Sequence, residues 1–221
     1  GMGYTVIAPV GDNLDALFIG MKEFPTEKVM LITPKDNLKK AQALEKKLDL
    51  FSIPAKIMIA EGSLMESMFM AFREICSQHN HDDIIVNVAT GDRLSSCAAL
   101  SAAFANGLKA IGVMDKKPML LPIMKLSYYD ELTESKLKVL SHLHGEEYVA
   151  MSVLSKKTGL SPSLLSYHLN GTLKYKGLVN LRLVEVKEQN KNLLVKLSQM
   201  GSLLLKGYID CGIKTNTKLI R

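Results

Sequence analysis

The chain has 221 residues, 47% of them hydrophobic and 23% charged, so it can bury the cores of two globular domains. It has no apolar run of about 18 residues, the length that predicts a membrane span. Residues 1–126 contain 14 basic and 14 acidic side chains, whereas residues 127–221 contain 14 and 8. A neutral half joined to a basic half is typical of a chain whose second half contacts a polyanion. A basic domain without such a partner is the alternative.

Strands and helices alternate through the first half. We predict strands at 4–10, 28–33, 55–60, 83–89 and 109–114, helices at 14–23, 36–49, 63–78 and 94–106, and one or two edge strands within 119–126. Ser63, three residues before Glu66, predicts a capping box at the start of the third helix. Apolar strands alternating with amphipathic helices indicate an α/β fold, a Rossmann-like doubly wound parallel sheet over residues 2–126.

The second half has a different order of elements. We predict helices at 134–143, 149–158 and from 162 to about 175, strands at 179–186 and 193–197 joined by a polar turn at 187–192, and a last helix at 198–208. Thr133 and Ser161 are the expected N-caps, Pro162 suits a first helical position, and Gly177 should end that helix. The order predicts a winged helix-turn-helix domain over residues 133–221, after a linker at 127–132.

The helix predicted from residue 162 has one apolar and one polar face. Leu165, Leu169 and Leu173 recur every four residues and are expected to be buried. His168, beside them, is expected to pack rather than to contact phosphate. The residues predicted to contact double-stranded DNA are polar groups of this helix and of the wing tip: Ser161, Ser163, Ser166, Tyr167, Asn170, Lys174, Lys187 and Lys191. Solvated surface positions are the alternative for the tyrosine and the wing lysines.

The run LSKKTGLSPSLLSYHL, residues 154–169, resembles the winged-helix regulators of the arsenic-repressor and multiple-antibiotic-resistance types. In those families a similar run spans the turn and the recognition helix. The match continues through residues 176–179, where those families place the end of that helix and the first wing strand. The resemblance implies a DNA-binding transcriptional regulator.

Polar loops follow the first and fourth predicted strands. Ligands of doubly wound sheets bind beyond the carboxyl ends of the strands, where the strand order reverses. Arg93 offers a charge for phosphate, and Gly91 lets backbone approach a ligand. The predicted ligand-binding residues are Gly11, Asp12, Asn13, Thr33, Asn87, Thr90, Gly91, Asp92 and Arg93. An ordinary strand-to-helix turn is the alternative for the second loop.

The sequence lacks the motifs of the common nucleotide-dependent enzymes. Neither GxGxxG nor GxxxxGK[ST] is present, which argues against a dinucleotide-dependent oxidoreductase and an NTPase. We expect no cofactor, metal site or catalytic residue, and we predict that the protein is not an enzyme. Cys76, Cys97 and Cys211 are widely spaced, which favours reduced thiols in a cytoplasmic protein. We expect Cys76 and Cys97 to be small buried residues of helices.

The loop at residues 87–93 resembles that of CARF domains, the Rossmann-like sensors of CRISPR-associated proteins, which carry Asn-x-[Ser/Thr]-x-Gly-x-[Lys/Arg] after the fourth strand. Asn87, Gly91 and Arg93 fit this pattern. The hydroxyl comes from Thr90, one position later than in the pattern, and Ala89 and Asp92 depart from it.

With the winged helix, the whole chain resembles the CRISPR-associated archaeal regulators. That resemblance implies a homodimer that binds a cyclic oligoadenylate, such as cyclic tetra-adenylate, across its two-fold axis, with no membrane partner. A metabolite-sensing repressor unrelated to CRISPR and a CARF ring nuclease are the alternatives.

Overall fold

The computed structural model of the chain describes residues 3–121, 131–143, 145 and 147–207. The chain forms two units, residues 1–127 and 128–221. Most of the predicted linker at 127–132 lies outside the described residues, as do Cys211, residue 208 of the last predicted helix and residues 122–126 of the predicted edge strands. Within the described ranges, no helix is both long and apolar enough to cross a membrane.

A mostly parallel sheet of six strands forms the first unit. The strands are β1 (Tyr4–Pro9), β2 (Thr26–Pro34), β3 (Ala55–Ala60), β4 (Ile84–Asn87), β5 (Lys109–Met114) and β6 (Lys117–Leu121). Their order is β3-β2-β1-β4-β5-β6, with β6 antiparallel to β5 and all other pairs parallel. The predicted mixed α/β fold with a mostly parallel sheet is confirmed, and the strand order reverses between β1 and β4.

Helices connect the parallel strands and cover the sheet. They are α1 (Asp15–Met21), α2 (Leu38–Leu50), α3 (Leu64–Gln78) and α4 (Arg93–Asn106). Leu17 of α1 and Leu44 of α2 share one core with alternate residues of the central strands, including Val6 and Leu31. Successive strand side chains point to opposite faces, so the buried Ile7 lies on the other side of the sheet. Both faces are therefore covered, as the apolar strands predicted.

Two local predictions in this unit need correction. Ser63 is the N-cap residue of α3, but its side chain makes no capping hydrogen bond, so the expected capping box is not formed by its hydroxyl. Cys76 is buried as expected, whereas Cys97 is exposed. The prediction for Cys97 is wrong because the inner face of α4 consists of small residues such as Ala98 and Ala102, and residue 97 lies outside it.

Over its described residues, the second unit contains four helices with assigned bounds and a small antiparallel sheet. Its elements are α5 (Glu134–Ser141), β7 (Val149–Ala150), α6 (Met151–Thr158), α7 (Pro162–Asn170), β8 (Val184–Gln189), β9 (Asn192–Leu197) and α8 (Gln199–Leu205). The sheet order is β7-β9-β8. Both predicted N-caps are confirmed: Thr133 accepts a hydrogen bond from the Lys136 amide at 3.3 Å, and Ser161 from the Leu164 amide at 3.2 Å.

Helix α7 ends at Asn170, earlier than the predicted end near residue 175. Gly171, with φ of 68° and ψ of −162°, ends it in a conformation that residues with a side chain rarely adopt. The backbones of Gly171 and Gly177 cross so closely that a Cβ on either one would overlap the other. The chain has therefore left the helix before Leu173, which is fully exposed, and the prediction that Leu173 is buried is wrong.

The strand predicted at 179–186 begins only at residue 184. Turns occupy the preceding residues, with the amide of Leu181 bonded to the Gly177 carbonyl and the amide of Leu183 to the Leu178 carbonyl, both at 3.0 Å. These turns bury Leu181 and Leu183, whose apolar pattern suggested a strand in the sequence.

The hairpin turn is shorter than predicted. Asn190 and Lys191 alone connect β8 to β9, and both have positive φ, 52° and 63°. Two consecutive residues with positive φ form the kind of two-residue turn that matches the twist of paired strands. Lys187, predicted for the turn, lies in β8 instead.

Candidate functional site

The loops after β1 and β4 contact each other backbone to backbone. Gly11 faces the amide nitrogen of Asp92 and the Cα of Gly91 so closely that a Cβ at residue 11 would overlap both. The amide of Asn13 donates to the Thr90 carbonyl at 3.3 Å. The two loops thus form one surface beyond the carboxyl ends of β1 and β4, where the strand order reverses.

Two predicted ligand residues, Asn87 and Thr90, support this surface from below. The Thr90 hydroxyl donates to the Pro9 carbonyl at 2.6 Å. Asn87 donates from Nδ2 to the Ala16 carbonyl at 3.0 Å, and its Oδ1 accepts the Ala89 amide at 3.0 Å. Asn87 and Thr90 are 1% and 0% exposed, so their polar atoms join the loops to β1 and α1. For both, direct contact with a ligand stays a prediction.

The end of β2 supports the first loop from the other side. Thr33, also a predicted ligand residue, is buried, and its hydroxyl donates to the Pro34 carbonyl at 2.9 Å. Asn37 donates from Nδ2 to the Val10 carbonyl at 3.1 Å. Sequence analysis missed Asn37 because it placed the residue in the first turn of a helix. The Pro-Lys-Asp-Asn run at 34–37, which forms a short 3-10 turn, was the available signal.

Asp12, Asn13 and Arg93 are the predicted ligand residues that are exposed on this surface. Arg93 is the first residue of α4, so its guanidinium and the helix N-terminus both contribute positive charge. Asp92 is the N-cap of α4, and its carboxylate accepts the Ser95 amide at 2.8 Å. The surface therefore combines groups that attract an anion with carboxylate and amide oxygens that accept hydrogen bonds.

In the second unit, side-chain hydroxyls hold the turn between α6 and α7. The Ser155 hydroxyl donates to the Leu160 carbonyl at 2.6 Å, and the Thr158 hydroxyl to the Leu154 carbonyl at 2.8 Å. Gly159 ends α6 in the left-handed conformation. Leu165 of α7 is fully buried, as predicted. These contacts fix the direction in which α7 leaves the turn.

Helix α7 presents most of the predicted DNA-contacting residues to solvent. Ser161, Ser163, Tyr167 and Asn170 are exposed, and Ser166 is half-buried. Asn170 donates from Nδ2 to the Ser166 hydroxyl at 3.1 Å, which orients both side chains on the outer face. The Ser161 hydroxyl already serves as the helix cap.

His168 lies on the inner side of α7. It is 8% exposed, its ring contacts that of Tyr167 edge-on with 5.3 Å between centroids, and its Nδ1 has no hydrogen-bond partner. Burial lowers the pKa of His168 below its ordinary value of 6.5, and the positive charge of Lys136 lowers it further. At neutral pH the His168 imidazole is therefore uncharged in the folded unit.

The three predicted basic contacts occupy different elements. Lys174 lies in the loop after α7 rather than on the helix, and Lys191 lies at the hairpin turn. Lys187 lies in β8, with its Nζ 4.0 Å from the centre of the Tyr148 ring, and Lys196 of β9 is 5.0 Å from the same ring. Sequence analysis missed Tyr148 and Lys196, because only the strand register brings these side chains together.

By its strand order, the first unit is a Rossmann-like α/β domain, and its paired loops lie at the switch point, where such sheets commonly bind ligands. A family model described as "HFX_2341_N:-like, N-terminal" matches residues 5–117, just over half of the chain. The chain belongs to this family. No curated protein sequence matches the chain.

Several solved structures are distantly similar. Protein VC1899 from Vibrio cholerae is 11% identical with a TM-score of 0.47, and the match covers 92% of this chain and 64% of that one. Can2 from Sulfobacillus thermosulfidooxidans, in complex with cyclic tetra-adenylate, is 13% identical with a TM-score of 0.45 and coverages of 74% and 62%. A type III CRISPR defence DNA nuclease activated by cyclic oligoadenylate is 12% identical with a TM-score of 0.45 and coverages of 85% and 36%. The chain spans less than two thirds of the length of each.

Proposed function

We propose that this protein is a ligand-responsive transcriptional regulator that binds a cyclic oligoadenylate through its first unit and double-stranded DNA through its second. The paired loops at the switch point carry the proposal, because the close contact between Gly11 and Gly91 joins the two loops that carry the exposed Asp12, Asn13 and Arg93. The protein acts by binding rather than by catalysis.

The surface suits a nucleotide better than a simple anion. Arg93 and the N-terminus of α4 attract phosphate, while the oxygens of Asp12 and Asn13 can accept hydrogen bonds from an amino group or a ribose hydroxyl. The resemblance of residues 87–93 to CARF loops supports a cyclic oligoadenylate as the ligand class. A ring with two-fold symmetry fits a homodimer whose two loop surfaces face one axis.

The second unit supports DNA binding through its shape and charge. Helix α7 follows a tight turn and exposes Ser163, Tyr167 and Asn170, as a recognition helix requires. From residue 148 onward the sequence has 12 basic and 3 acidic side chains. The β8–β9 hairpin places Lys191 at its turn, where a wing would contact phosphate. We propose that this unit is a winged helix-turn-helix domain.

Ligand and DNA are coupled through the dimer in this proposal. Two recognition helices must match half-sites about 34 Å apart, so a small rotation of one protomer against the other changes DNA affinity. A ligand bound across the two-fold axis favours one arrangement over the other by its differential affinity.

Thermal unfolding with a panel of cyclic and linear oligoadenylates tests the ligand. A ligand at about 100 times its Kd stabilises the native state by roughly 2.7 kcal/mol, a shift of a few degrees in Tm. We expect a shift with one ring size and none with the linear controls. If no ring size shifts the Tm, a cyclic oligoadenylate is not the ligand. Ring-opened products after incubation would show a ring nuclease instead.

A further inference from the structure

One buried ammonium group in the second unit has no part in the DNA contacts proposed above. Lys136, on α5, is only 8% exposed. Its Nζ donates to the Lys176 carbonyl at 2.7 Å and to the Glu131 carbonyl at 3.4 Å. The two acceptors are backbone atoms 45 residues apart in the sequence, and a single side chain joins them.

Stability alone does not account for a lysine at this position. A buried charge is costly unless it is fully hydrogen-bonded, and an apolar side chain of similar volume often serves a core equally well. The hydrogen bonds that Lys136 makes are charge-assisted and therefore stronger and more directional than neutral ones. A group of this kind fixes the positions of the atoms it contacts.

Lys176 belongs to the loop of residues 171–177, which follows α7 directly. The loop closes through the bridge between Gly171 and Lys176 and through the Thr172 amide, which donates to the Tyr175 carbonyl at 2.8 Å. It exposes Leu173 and Tyr175 next to the end of α7. The shape of this loop determines which groups a partner would contact beyond Asn170.

Glu131 lies at the other end of the link. It lies four residues beyond the end of the first unit at residue 127, close to the point where the chain enters the second unit. Thr133 then caps α5 by accepting the Lys136 amide, so residues 131–136 form one hydrogen-bonded group around the lysine. A displacement at residue 131 would be transmitted to the Lys176 carbonyl through the Lys136 ammonium.

We propose that Lys136 is a positioning residue that holds the loop of residues 171–177 in its DNA-binding shape and couples it to the point where the chain enters the second unit. The inference rests on the proposed function, because the effect of the bound ligand would reach the DNA-binding loop through this coupling. His168 provides an independent reporter, since the charge of Lys136 lowers its pKa.

The test compares the full-length Lys136→Met and Lys138→Met variants by hydrogen exchange. Both remove one positive charge from α5, but Lys138 is half-buried and its ammonium is not part of the link. In Lys136→Met we expect roughly ten- to a hundredfold faster exchange at residues 171–178 than in the wild type, the loss expected for a charged hydrogen bond. We also expect faster exchange at residues 131–137, a higher pKa for His168 by NMR, and partial rescue by Lys136→Arg. Equal exchange in the two methionine variants would overturn the proposal.

DNA binding separates this inference from the function on which it rests. With duplex DNA we expect Lys136→Met to lose several-fold more affinity than Lys138→Met and to lose the effect of the cyclic oligoadenylate. If the wild type binds no DNA, the proposed function fails, while hydrogen exchange still decides whether Lys136 holds the loop. If the wild type binds DNA and Lys136→Met behaves like Lys138→Met, the inference fails and the function stands.

Discussion

At the scale of single residues, Gly11 is the position on which the paired loops depend. A Cβ at residue 11 would overlap the backbone of Gly91 and Asp92, and backbone cannot move aside as a flexible side chain can. Gly11→Ala should therefore destabilise the first unit by ~1–3 kcal/mol, the usual cost of overpacking, and abolish ligand binding. Thermal unfolding and ligand titration measure both effects.

Gly112→Ala is the matched control for this change. Gly112 lies in β5, and the nearest side-chain atoms to a Cβ there are 3.8 and 4.0 Å away, ordinary contact distances. We expect Tm and ligand affinity close to those of the wild type. If Gly11→Ala behaves like Gly112→Ala, the contact between the loops is not needed for the site.

Arg93 is an exposed cation of the proposed ligand surface. Arg93→Ala should weaken cyclic oligoadenylate binding by roughly tenfold or more, as expected when a charged hydrogen bond to phosphate is lost, with little change in the Tm of the free protein. Lys22→Ala removes the same charge from the C-cap of α1, three residues before Pro25, whose carbonyl accepts the Tyr4 amide at the amino-terminal end of β1, and should leave binding unchanged. Isothermal titration calorimetry compares the two, and equal losses would show only a general charge effect.

His168 predicts a pH dependence of stability. Because its pKa is lowered in the folded protein, the unfolded chain binds the proton first as the pH falls below about 6.5, and stability then decreases. The decrease is at most about 1.4 kcal/mol per pH unit for one proton and ends below the folded pKa. His168→Leu should remove this component and lose less Tm between pH 7.5 and 5.5 than the wild type. Parallel curves for the two proteins would contradict the assignment.

The positions of the two paired loops could be predicted from the sequence because polar residues follow apolar strands. The direction of each side chain could not be predicted. Asn87 and Thr90 are predicted ligand-binding residues, and in the fold they also donate to the buried carbonyl groups of Ala16 and Pro9, respectively, which need donors. That requirement arises only when the first and fourth strands are adjacent.

At the scale of elements, the start of α4 combines a helix cap with part of the proposed ligand surface. Asp92→Asn should keep the cap, since asparagine is an equally good N-cap, and should raise affinity for an anionic ligand by removing a negative charge. Asp92→Ala should lose about 1 kcal/mol of stability with the cap. Unfolding and ligand titration of both variants separate the two roles. Weaker ligand binding by Asp92→Asn would mean that the carboxylate itself contacts the ligand.

Periodicity predicted the positions of the strands and helices correctly where packing agreed with it. The prediction failed where the chain crosses itself. Strands β3 and β5 begin and end where predicted, and an acidic residue, Glu61 or Asp115, directly follows each apolar run. Helix α7 ends early because the crossing of Gly171 and Gly177 overrides the four-residue spacing that continues to Leu173. The Asn-Gly pair at 170–171 was the available signal for that end.

At the scale of the whole molecule, charge separates the two units. The first half of the sequence carries no net charge, and the excess positive charge lies in the second half. Such a molecule should associate with DNA through the second unit alone, with an affinity that falls linearly with salt on logarithmic axes. The neutral first unit is then free to bind its own ligand.

Fluorescence anisotropy of labelled duplex DNA tests the central claim most directly. The protein is titrated at several salt concentrations, alone and with each cyclic oligoadenylate, using duplexes that the protein itself has selected from a random-sequence library. We predict binding that weakens steeply with salt and that changes in affinity with one ring size only. Absent or salt-independent binding, or DNA affinity that no cyclic oligoadenylate alters, would contradict a ligand-responsive regulator.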